Sequence, residues 1–143
     1  MDSIRNLSGI LMKKDVCRVK FVIEDYVVEA CEILTDIDKC PIEFLWAKTK
    51  EDALLSYLED RLPPETRTGL QWYLLAAGIP YYDPEQIIKY SHGYNVSDME
   101  WIQLEGENYT FKEIEERAVR ESKVLYDRIG QMLKDGRLKA DGF

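Results

Sequence analysis

Val16-Cys17-Arg18-Val19-Lys20-Phe21-Val22-Ile23-Glu24-Asp25-Tyr26-Val27-Val28-Glu29-Ala30-Cys31-Glu32-Ile33-Leu34 is the stretch on which the fold turns. Cys17, Val19, Phe21 and Ile23 alternate with Arg18, Lys20 and Val22, a period of two that sets one face of a strand on a core and the other in water. Glu24-Asp25 reads as the turn, and Tyr26 to Leu34 follows as a second β-rich run. Upstream, Leu7 to Lys13 is a short strand closed by the Lys14-Asp15 corner. Together these make a small antiparallel meander.

After Thr49 the period changes to that of a helix. Thr49 and Asp52 form a cap before Ala53, Leu54, Leu55, Tyr57 and Leu58, because a side-chain oxygen satisfies the free N–H groups of a first turn. Arg61 to Pro64 ends that helix. A second helix is expected over 65–77, closed by Gly78, and a third over 83–91, where Asp83-Pro84-Glu85-Gln86 supplies a cap and a proline at the first helical position. Trp101 to Leu104 reads as one further strand. Thr110 and Glu113 then open the longest helix, with Ile114, Ala118, Leu125, Ile129 and Leu133 on one stripe before Gly136. The predicted class is α+β: a small antiparallel β meander, several helices and a long C-terminal helix. One domain covers 1–143, divided into a β-rich part (7–45), a helical part (49–93), a strand and loop (94–109), the long helix (110–136) and a loose tail (137–143).

A helix of that length runs roughly 35–40 Å, whereas a domain of this size is only about 30–35 Å across. Leu125, Ile129 and Leu133 are therefore candidates for a seam that pairs with a second copy or docks on a partner.

With 143 residues, 45% of them apolar, the chain has enough material for one core and too much for disorder. Its net charge of −8 argues against direct binding of nucleic acid or of an anionic membrane. The charge is uneven: residues 21–60 alone carry eleven acidic and three basic groups. Glu24, Asp25, Glu29, Glu32, Asp36, Asp38 and Glu43 are read as an acidic face for a partner with a basic surface. Among the aromatics, Tyr81 and Tyr82 follow Pro80 in a loop and are the candidate exposed anchors. Cys17, Cys31 and Cys40 match no zinc or redox spacing and read as reduced thiols. No stretch approaches about 18 apolar residues, and the start of the chain lacks the apolar run of a leader, so a cytoplasmic protein is expected.

No set of residues stands out as catalytic. His92, with Ser97 and Asp98 nearby, lacks a marked nucleophile and reads instead as the end of a helix, facing its dipole. The pairs Asp36/Asp38 and Glu105/Glu107 sit in no recognisable metal loop and read as solvated charge. The glycines form no phosphate-cradling loop. No cofactor, metal or catalytic activity is expected.

Four segments carry a family likeness: Met12-Lys13-Lys14-Asp15-Val16; Arg61-Leu62-Pro63-Pro64 with Thr66-Arg67-Thr68-Gly69-Leu70; Ser97-Asp98-Met99-Glu100-Trp101-Ile102; and Tyr109-Thr110-Phe111 before Glu113-Ile114. In their order and spacing, from Leu11 to Ile114, the chain resembles the amino-terminal region of HipA-like proteins of Gram-positive bacteria and their mobile elements. It departs at Glu100, where the resemblance leads one to expect an aromatic. In that family the kinase chemistry resides in a larger downstream domain that this chain lacks. The resemblance thus implies a free-standing accessory module, of the kind that restrains the kinase in split toxin–antitoxin systems. The alternative is an anti-CRISPR-type inhibitor of a phage or mobile element, filling the nucleic-acid channel of a defence nuclease.

Overall fold

The computed structural model describes residues 4–137, so the tail expected at 137–143 lies outside the described residues beyond Arg137. Strands β1 (Leu7–Lys13), β2 (Val16–Glu24) and β3 (Val27–Ile33) form the expected meander. Strand β4 (Glu100–Leu104) joins it antiparallel to β1, giving the sheet order β3-β2-β1-β4. The α+β class read from the sequence holds.

Register follows burial. Leu7, Leu11, Val19, Phe21, Ile23 and Ile102 share one face and are nearly inaccessible to water. Gly9 is required where β1 runs beside β4 opposite Leu104, since a Cβ there would collide with the backbone carbonyl of Gln103. A bulge between Leu11 and Met12 leaves Arg18 without a partner on β1, and the arginine turns inward.

Helix α1 (Glu43–Trp46) and helix α2 (Lys50–Asp60) cover this face through Phe44, Ala53, Leu54, Tyr57 and Leu58. Helices α3 (Leu70–Ala77) and α4 (Pro84–Ser91) build a second cluster around Leu70, Leu74, Ile79 and Ile87. Helix α5 (Phe111–Lys134) starts against the other sheet face, where Met12, Trp101 and Ile114 pack together, and continues to α3, where Arg128 Nη1 donates to the Ala76 carbonyl at 2.9 Å. The caps read from sequence are present: Thr49 accepts from the Asp52 N–H, Asp83 from Gln86, and Thr110 and Glu113 form a reciprocal box.

Two boundaries and one surface differ from expectation. The β-rich part ends at Ile33 rather than near 45, and a 3-10 turn (Ile37–Lys39) and α1 follow; burial of Cys40 and Phe44 folds this segment back onto the core. The helix expected from 65 begins at Leu70, because Gly69 is left-handed at φ 84° and the preceding residues are held in turns, Arg67 N–H to Pro64 and Leu70 N–H to Arg67. The stripe on α5 is not a free seam: Leu125 is buried within the chain, and Ile129 and Leu133 are half-buried.

Candidate functional site

Histidine chemistry is engaged structurally. His92 caps α4 in the left-handed region at φ 57°, with its N–H on the Ile88 carbonyl. It is 2% exposed, donates from Nε2 to Glu107 Oε1 at 2.9 Å and meets Tyr109 edge-on. Burial, outweighing the Glu107 carboxylate, holds the imidazole below its usual range. Ser97 bonds Asn95 and Asp98 bonds Arg61, so the elements of a nucleophilic triad are not brought together. Of the Glu105/Glu107 pair, Glu107 is spent on His92.

The same region holds the main buried charge network, which the sequence did not announce. Arg61 Nη1 and Nη2 grip the Asp98 carboxylate at 2.6 and 3.1 Å, and Nε donates to the Gly93 carbonyl. Glu100 lies between Arg61 and Arg18, 2.7 Å from Arg18 Nη1. Arg18 also reaches the Lys39 carbonyl, tying the 3-10 turn to the sheet. Despite the burial of its carboxyl, Asp98 is held below its usual range by Arg61 and the Glu100 N–H. Glu100, where an aromatic was expected, is thus the shared anion of two arginines. The network joins Arg61-Leu62-Pro63-Pro64 to Ser97-Asp98-Met99-Glu100, two segments far apart in sequence.

The acidic residues singled out in the sequence do not form one face. Glu24 and Asp25 lie at the β2–β3 turn, where Arg5 Nε approaches Asp25 at 3.4 Å. Asp36 and Asp38 lie past the other end of β3, whose seven residues span about 20 Å. Between them Glu29 and Glu32 are exposed along β3, Glu32 opposite Lys20. Glu43 is only half-exposed, and burial first, then the Asp60 carboxyl beside it, raises its pKa.

Tyr81 and Tyr82 belong with the turn end. Tyr81 is 65% exposed, whereas Tyr82 is half-buried with its hydroxyl on the Pro63 carbonyl at 2.7 Å. Both border a cleft of about 810 Å³ against Leu74 and Leu75, and a second hollow shared with Arg5 and Tyr26.

The sequence reading missed the apolar half of the Asp36/Asp38 end. Leu34, Ile37, Ile42, Leu45 and Trp46 are all exposed within thirteen residues, Trp46 at 78%. The signal was present in Ile42-Glu43-Phe44-Leu45-Trp46, but one turn of helix buries Phe44 alone, and which residues of so short an element face inward is decided only by packing. Exposed tryptophan beside aliphatics and carboxylates has the chemistry of a protein-binding patch: apolar anchors that gain on desolvation, with a charged rim.

Among the described residues no group of three or more His, Cys, Asp or Glu side chains is placed to hold a metal, and no helix is long and apolar enough to cross a membrane. The three thiols are free. Cys17 is exposed, and burial pushes Cys31 up to about 11, leaving it protonated at neutral pH. No protein-family model matches the chain, and neither a curated protein nor a solved structure matches it.

Proposed function

We propose that this chain is a non-catalytic, cytosolic binding module that inhibits or regulates a partner protein, docking through residues 34–46. The observation that carries this reading is the run of exposed apolar side chains from Leu34 to Trp46 interleaved with Asp36 and Asp38. Trp46 and its aliphatic neighbours supply the holding energy. Exposed ion pairs add only about 0–1 kcal/mol each, so the carboxylates mainly steer a basic partner into place. The HipA-like resemblance makes a kinase lacking its own amino-terminal module the first partner to assay.

A photo-crosslinking residue at position 42, in cells that carry the chain's natural partners, tests the docking face, with the exposed position 105, past the opposite edge strand of the sheet, as the control. A discrete protein adduct from 42, absent from 105 and lost on Trp46→Ala, supports the reading. Adducts insensitive to Trp46→Ala, or none from 42, overturn it. With the partner in hand, higher salt should slow association more than it speeds dissociation.

A further inference from the structure

We infer that the outer flank of α5 is a self-association surface, and that two copies of the chain pair there antiparallel about a two-fold axis. This surface is separate from the 34–46 patch. Its residues are Val119, Ser122, Tyr126, Ile129 and Leu133, spaced three, four, three and four apart, the heptad pattern of a helix seam. The flank shares the half-buried Ile129 and Leu133 with the stripe whose Ile114 and Leu125 the chain itself buries, and extends it outward through Val119, Ser122 and Tyr126. Val119 is 73% and Tyr126 80% exposed, while Ile129 and Leu133 are half-covered by the chain itself. A large aromatic and a β-branched residue are thus held in water on a rigid helix.

Charge selects the occupant. Arg117, Glu121 and Arg128 are engaged with Tyr109, Tyr90 and Ala76. Of the charges on or beside the flank, Lys112, Glu115 and Glu116 make the first part of the helix net −1, and Lys123, Asp127 and Lys134 make the rest net +1. A parallel copy would set like charges side by side. An antiparallel copy sets the acidic start against the basic end twice over, as an isologous two-fold contact requires. In that register Val119 of one copy meets Ile129 of the other and Ser122 meets Tyr126, while Glu115 comes level with Leu133 at the edge of the seam, one residue from Lys134.

The apolar seam spans only about 21 Å of helix, which places the contact in the small, transient class below ~1,200 Å². Sedimentation or light scattering from about 5 µM to ~1 mM is therefore the measurement, since micromolar to near-millimolar constants fall within it. The full chain should pass from monomer to dimer and no further. Tyr126→Asp and Val119→Asp should each weaken dimerisation at least about tenfold, roughly 1.4 kcal/mol, with unchanged circular dichroism and melting. Glu115→Lys with Glu116→Lys, which leaves the apolar seam intact, should weaken it too, and salt should act in the same direction. Spin labels in a Cys17→Ser background fix the geometry. Labels at Lys123 should lie close across the dimer and labels at Lys134 about 30 Å apart along the axis, whereas a parallel pair brings both close. A chain that stays monomeric, a dimer indifferent to Tyr126→Asp, or short distances at both labels would each overturn the inference.

Discussion

Around Glu100 two buried arginine side chains each hold a carboxylate, Glu100 sheltered and Asp98 about a third exposed; between Leu34 and Trp46 the carboxylates stand in water among apolar side chains that also stand in water. The first arrangement closes on itself. Arg18 and Arg61 lose hydration on burial and recover it only through Glu100, Asp98 and the carbonyls of Lys39 and Gly93, so every group there is committed to the fold. The second leaves hydrophobic free energy unclaimed within the chain, which only another surface can recover. Charge alone did not separate the two: Glu100 and Asp38 look alike in the sequence, and only their neighbours show which holds the fold and which faces a partner.

The sharpest way to break the comparison is Arg61→Ala. Removing Arg61 leaves Glu100 to Arg18 alone and the part-exposed Asp98 without its cation, so unfolding in urea should show a loss of about 2–3 kcal/mol, below the ~3–5 kcal/mol of a fully buried pair. A loss under about 1 kcal/mol would mean that water reaches the network and that its charges do not hold the fold. Trp46→Ala should do the reverse: stability within about 0.5 kcal/mol of the parent, and partner affinity down by about 2 kcal/mol or more, as for a hot-spot aromatic. If Trp46→Ala instead unfolds the chain, the patch belongs to the core.

Acidity sharpens the contrast further. His92 and Asp98 are both held below their usual values, so in mild acid the unfolded chain binds more protons than the folded one and stability falls as pH drops. The loss begins below about pH 6.5, where an ordinary histidine protonates, and resumes below about pH 4 as Asp98 is forced to protonate. Glu43, raised by burial and by Asp60, acts with the opposite sign, its cost relieved as pH falls through its raised value. Urea unfolding at pH 7.5, 5.5 and 3.5 should show the net decline, and His92→Gln should flatten the first interval. The smallest effect is expected from Asp36→Lys with Asp38→Lys: stability unchanged within about 0.5 kcal/mol, slower association, and a dissociation rate close to the parent's. Equal losses in both rates would make these carboxylates direct contacts rather than steering charges.

Much of the architecture was legible because it rests on local chemistry. The alternation of Val19, Phe21 and Ile23 marks a half-buried strand whatever it packs against, and Thr49, Asp83 and Thr110 satisfy helix N–H groups within their own first turns. Where the pattern was short or interrupted, the reading slipped. Residues 65–69 have helical spacing but end in a left-handed glycine, and residues 42–46 make one turn, too few to display a period. The acidic set was visible as composition yet not as a surface, because a strand of seven residues carries its two ends about 20 Å apart.

What the sequence by itself determined is the set of elements, their caps and the sign of the charge, since each depends on residues within a turn or two of one another. Tertiary structure alone decided which charges are internal and which apolar groups are left outside. Arg18 is turned inward by a bulge, and its partner Glu100 stands eighty-two residues away; Leu125 is covered by the rest of the chain while Tyr126 beside it is not. Burial is a property of what the rest of the chain covers, and no local pattern encodes that.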